Sequence, residues 1–158
     1  MKFRFIFVIF QLTQILVNAS SAFASQTASL AANGETIVNA SYPTADIRVV
    51  IKAHQEKIEK PVDKDRRFIP SACMYSSSCV FIDKIQIYVD KKQIFIPNSL
   101  VCNLGNVHTA TVRSSEGKMV LLLDQGDASE SSFIRIEFDK QRVRKMNIYT
   151  DSSMTQNV

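Results

Sequence analysis

From Asp46 to Tyr149, apolar side chains recur at every second position in one segment after another. That period belongs to strands whose faces differ in polarity. In residues 47–53, Ile47, Val49, Ile51 and Ala53 share one face, and Arg48 and Lys52 share the other. Residues 80–89 set Phe81, Ile85, Ile87 and Val89 against Lys84, Gln86 and Tyr88. Asp90-Lys91-Lys92 marks a turn, and residues 93–96 return from it. Pro97 ends that return, because proline has no N–H to give a ladder. Residues 107–113 and 118–124 flank Ser114-Ser115-Glu116-Gly117, turn chemistry with a glycine free to take positive φ.

Pairing Arg113 with Lys118 places His108, Ala110 and Val112 on the same face as Met119, Leu121 and Leu123, with His108 as a partly buried structural histidine. Val120 and Leu122 make the second of these strands apolar on both faces, the pattern of a central strand. Residues 132–138 and 143–149 form a last hairpin. One extra residue near Lys140 to Val143 aligns Ile136 with Met146, Ile134 with Ile148 and Glu137 with Lys145. Without that bulge, the apolar faces of the two strands oppose each other wrongly.

About six or seven hairpin-connected strands and no long amphipathic helix predict an all-β fold, an antiparallel sandwich or small barrel. A helix hidden in residues 25–40 or 54–67 would make it α+β. Residues 25–45, rich in Ser, Ala, Thr and Asn, read as a flexible N-terminal arm, residues 46–150 as a single β domain, and residues 151–158 as a tail. The charged stretch from His54 to Arg67 reads as a solvated connection. Asn39-Ala-Ser41 fits a glycosylation sequon, relevant only in a eukaryotic secretory pathway.

The first 24 residues predict export. Lys2 and Arg4 precede an apolar stretch, residues 5–17, that glutamines interrupt, and Ala22-Phe23-Ala24 supplies small residues for a signal peptidase. A membrane span needs about 20 apolar residues, so the mature chain is expected to have none. The chain carries 19 basic and 15 acidic side chains, and without Lys2 and Arg4 the count is 17 against 15. A surplus of two gives no reason to expect nucleic acid or a membrane surface as partner.

Export would oxidise paired cysteines, and Cys73, Cys79 and Cys102 allow one disulfide. Cys73 with Cys79 would clip a short loop. Cys79 with Cys102 follows instead if the pairing of Val89 with Lys92 runs on. Neither His54 nor His108 stands at ligand spacing from the cysteines, so zinc is not expected, and no local base partners a reactive thiol.

Residues 124–132, DQGDASESS, are the candidate site. Asp124, Asp127 and Glu130 offer carboxylates and Ser129, Ser131 and Ser132 hydroxyls. Clustered oxygens suit calcium, though the EF-hand spacing is missing. Paired carboxylates suit acid–base chemistry. A polar turn whose Asp and Ser cap their own backbone explains the same composition. Arg142, Arg144 and Lys145 cluster at a hairpin end and read as solvated. No G-x-S-x-G, phosphate-cradling loop or metal motif is present, and no cofactor is expected.

Ile96-Pro97-x-Ser99, Gly117-Lys118 leading to Leu121, Gly126-Asp127-Ala128-Ser129, and Ile136-x-Phe138-Asp139 followed by Val143 resemble a pattern in small exported bacterial proteins of unassigned function. The resemblance spans residues 84–149, with Gln125 and Phe133 where glycine and tyrosine are expected. It implies a β fold and a Gram-negative envelope location, and it carries no catalytic residue. The functional expectation is a protein-binding module of the envelope, inhibitor- or immunity-like, whose partner is an envelope or secreted protein and whose contact is the 124–132 loop. This rests on analogy between folds. The alternatives are a small hydrolase using Asp124, Asp127 or Glu130, and a structural component of an envelope assembly.

Overall fold

The computed structural model describes residues 25–59, 69–115, 118–126 and 131–149. The signal segment, Asp127, Ser129, Glu130 and the tail lie outside the described residues. Nine strands follow in order: β1 Gln26–Ser29, β2 Gly34–Tyr42, β3 Ala45–Lys57, β4 Ser78–Val89, β5 Lys92–Ile94, β6 Val107–Ser115, β7 Lys118–Gln125, β8 Ser132–Phe138 and β9 Val143–Tyr149. They form two sheets, β1-β6-β7-β8-β9 and β2-β3-β4-β5, with every pairing antiparallel. The fold is an all-β sandwich. Among the described residues, no helix is long and apolar enough to cross a membrane.

The inner faces are those the alternation selects. Ile47, Val49, Ile51 and Ala53 of β3 and Ile85, Ile87 and Val89 of β4 meet Ala110, Val112, Leu121, Leu123, Ile134, Ile136 and Phe138 of the other sheet in one core. Each fully buried Leu, Ile or Val contributes about 1.5–3 kcal/mol of transfer free energy. β7 lies at the centre of its sheet, as its two-faced apolar pattern requires. Tyr42 crosses between the sheets, its hydroxyl donating to Val112 O at 3.0 Å, and burial raises its pKa.

Two registers match the sequence reading. Val89 pairs with Lys92, and the two residues between them, Asp90 and Lys91, both have positive φ, 50° and 68°. That is the type I′ geometry, whose twist suits a two-residue hairpin. In the last hairpin, Ile134 pairs with Ile148, Ile136 with Met146 and Glu137 with Lys145, and the bulge follows before Phe138 pairs with Val143.

Other expectations are corrected. Among the described residues there are nine strands rather than six or seven, because residues 26–42 supply two strands instead of an arm. Their apolar content is small and scattered. What fixes them is pairing with β6 and β3, and β2 buries only Val38, Ala40 and Tyr42. His54 to Lys57 continue β3 rather than opening a loop. Ser115, not Arg113, pairs with Lys118; the shift of two residues leaves every side chain on its expected face. A bulge between Val107 and Thr109 turns His108 out of the core to an exposed position. A second bulge, between Lys52 and Ala53 on the β3 side, gives β4 one extra residue, Asp83. Beyond it Ile82 joins the main core, and Phe81 packs in a satellite cluster with Cys73 and Cys79.

Candidate functional site

The disulfide joins Cys73 to Cys79, and Cys102 is free and exposed. The Cys79–Cys102 scheme fails because the β4–β5 ladder stops at Ile94. Pro97 and a 3-10 turn at Asn98–Leu100 then lead the chain away, so that Cys79 sits opposite Glu56 of β3.

The loop between the bridged cysteines is held along its length. Cys73 N donates to Pro70 O (2.9 Å), Met74 N to Ser71 O (3.1 Å) and Ser76 N to Cys73 O (3.2 Å). Ile58 N donates to Ser77 O (2.9 Å), tying the loop to the end of β3. Cys73, Cys79 and Phe81 are buried beneath it with Ile58 and Ile69 packed alongside. Above them Met74 and Tyr75 stand out, 54 % and 78 % exposed. A short loop closed covalently at its base thus presents two large apolar side chains to solvent.

Gly105 and Asn106 fasten this loop to the sheets. A Cβ at Gly105 would lie 2.8 Å from both Cys73 Sγ and Pro70 Cβ, so the backbone fits under the loop only as glycine. Asn106 has φ 48°, a left-handed conformation asparagine tolerates. Its backbone N donates to Val80 O (2.8 Å), its Oδ1 accepts from Val80 N (3.0 Å), and its Nδ2 donates to Ala72 O (3.1 Å). Its carbonyl accepts from Gly126 N (3.0 Å). One residue therefore connects the disulfide loop, the start of β4 and the point where the 124–132 segment leaves β7. His108 Nε2 donates to Gly126 O (3.0 Å), a second hold on the same point.

Of the sequence-predicted site residues, Asp124 lies half-buried on the outer face of β7, between Thr109 and Phe133. Asp127, Ser129 and Glu130 lie outside the described residues. Gln125, where the resemblance expects glycine, fills a buried position, and its Nε2 donates to Ser132 Oγ at 2.9 Å. Among the described residues, no group of three or more His, Cys, Asp or Glu is placed to hold a metal.

The sequence reading missed the cluster around His54. The bulge swings Asp83 to Nδ1 (2.7 Å), Glu56 Oε1 stands 2.9 Å from Nε2, and the imidazole stacks on Phe81 with ring centroids 5.5 Å apart. Each ring nitrogen faces a carboxylate, which fixes the orientation of the ring. Cys102 lines the same cleft, its thiol directed to Ser99 O (3.6 Å) and Asn103 Oδ1 (3.4 Å). The signal for this cluster was the adjacent apolar pair Phe81-Ile82, which breaks the period of two. Asn106 gave no signal beyond the turn-forming dipeptide Gly105-Asn106. Compared with protein-family models, curated proteins and solved structures, the chain matches none.

Proposed function

We propose that this chain is an exported protein-binding module of the cell envelope, inhibitor- or immunity-like in action. Its contact surface is the end of the sandwich that carries the Cys73–Cys79 loop and Gly126, from which the 124–132 segment leaves β7. The observation that carries this reading is the linkage through Asn106, which bonds Ala72 at the base of one loop and Gly126 at the root of the other. Tyr75 and Met74, exposed on a covalently closed loop, are residue types that dominate protein interfaces. Closing the loop in advance lowers the ordering cost of binding. The sequence adds the carboxylates of Asp127 and Glu130 to the segment that follows Gly126, and such charges set which partner is accepted. Export is supported by the basic, apolar, Ala-x-Ala series of residues 1–24 and by a disulfide, which persists in oxidising compartments.

The test is capture by the chain from Ser25, folded under oxidising conditions, from native envelope extract and from a panel of lysozymes. The expected result is a stoichiometric partner whose affinity falls about thirtyfold on Tyr75→Ala, the equivalent of a hot spot of about 2 kcal/mol. Asp127→Ala with Glu130→Ala should weaken it further. Nothing retained above background, or retention indifferent to all three substitutions, contradicts the proposal.

A further inference from the structure

The two sides of the sandwich differ. On one side β1 packs beside β2, which closes the gap between the sheets. On the other side β5 is three residues long and β9 pairs with β8 alone among the described residues. The backbone groups of β9 that point away from β8 therefore form an open edge. A groove of about 400 Å³ runs beside it, lined by Phe95, Pro97 and Leu100 from the chain after β5 and by Val143 and Met146 from β9. Ile94 and Ile96 point inward and are buried, so alternation forces Phe95 outward, where it is 77 % exposed. Ile148, further along β9, is 57 % exposed.

The charge on this edge is of one sign. Lys140 is taken by Asp90 (2.7 Å), Arg144 bonds the Asp139 carboxylate, and Glu137 is held by Arg135 (3.1 Å) and Lys118 (3.4 Å). Arg142 and Lys145, both on the groove, have no carboxylate partner among the described residues. We propose that the β9 edge and the Phe95 groove bind an acidic, extended segment of a partner protein as an added strand.

The backbone of such a segment would continue the β9 ladder. Its side chains would alternate, apolar ones against Phe95 and Leu100 and carboxylates toward Arg142 and Lys145. Basic side chains on an edge also deter pairing between copies of a chain. That role alone predicts no affinity for an acidic strand, so the two are separable.

The experiment is a titration of the 15N-labelled chain from Ser25 with a capped nine-residue peptide alternating Glu with Val and Thr, and with the same peptide carrying Lys for Glu. The expected result is a saturable shift of amide signals in residues 143–149 and of Phe95, from the Glu peptide alone, weakening as salt is added. Arg142→Glu with Lys145→Glu should weaken binding by about tenfold or more while signals of the opposite sheet stay in place. Phe95→Ala, at an exposed position, should weaken it with charge unchanged. No shift at millimolar Glu peptide, equal response to both peptides, or an edge occupied by a second copy at the same concentration would each overturn the proposal.

Discussion

Asn106 shows how much a single side chain can organise. Its amide satisfies Val80 N and Ala72 O, both backbone groups at the base of the disulfide loop. Asn106→Ala would remove both partners and leave alanine in a left-handed conformation. The expected loss is about 2–3 kcal/mol, read by urea unfolding, and a loss under about 0.5 kcal/mol would refute the hub. Asp139 acts at the opposite end, in the β8–β9 turn. Its carboxylate accepts from the backbone N–H of Gln141 (2.8 Å) and of Arg142 (2.9 Å) and bonds Arg144, which together lower its pKa to about 2. A folded value below the unfolded one, about 4, means that its contribution is complete above that pH. The contribution then disappears as pH falls toward about 2. A carboxyl NMR titration should find the low midpoint, and Asp139→Ala should destabilise the chain at pH 7 yet leave it unchanged near pH 2. A midpoint near 4 would show that these bonds do not form. None of this was legible in the sequence, since a polar residue in a turn gives no sign of which backbone groups it will meet.

Among the elements, hairpins were legible where the apolar pattern on both strands constrained the register. The β8–β9 bulge was forced because only an extra residue aligns Ile134 and Ile136 with Ile148 and Met146. The β6–β7 register slipped by two because residues 113–119 hold too few apolar positions to separate one even shift from another. The β3–β4 bulge was hidden, and with it the His54–Asp83 contact, because strand alternation was carried through Phe81 when the chain reverses face at Asp83. The β4–β5 turn gives a prediction at this scale. Lys91 has φ 68°, a conformation that costs a side-chain-bearing residue about 1–2 kcal/mol and glycine nothing. Lys91→Gly should therefore raise the urea midpoint by the equivalent of about 1 kcal/mol, while Asp90 keeps its bonds to Asp46 N and Lys140. An unchanged or lower midpoint would mean that the turn is not of type I′ in solution.

At the scale of the whole molecule, the all-β class and a sandwich or small barrel were legible from the period of two, and the first two of the nine described strands were not. β1 and β2 are built from Ser, Ala, Thr and Asn with few large side chains, and they become strands through partners distant in sequence, β6 and β3. The disulfide needed the same tertiary information, since two pairings of three cysteines were equally open. Of the candidate site, the sequence offered the 124–132 segment, whose Asp127, Ser129 and Glu130 lie outside the described residues. Asp124 lies at the end of β7, just before Gln125 and Gly126, while Met74, Tyr75 and Asn106 emerge only once Gly126 and Ala72 share a partner. The proposed contact with a protein partner is the Cys73–Cys79 loop tip, and the turn between β2 and β3 lies at the far end of β3, away from it. The most direct measurement is photocrosslinking in cells that produce the native chain, with the reactive side chain at Tyr75 or, as control, at exposed Thr44. The account predicts one discrete crosslinked partner from position 75 and none from position 44. Crosslinking from position 44 alone, or the same products from both positions, would contradict it.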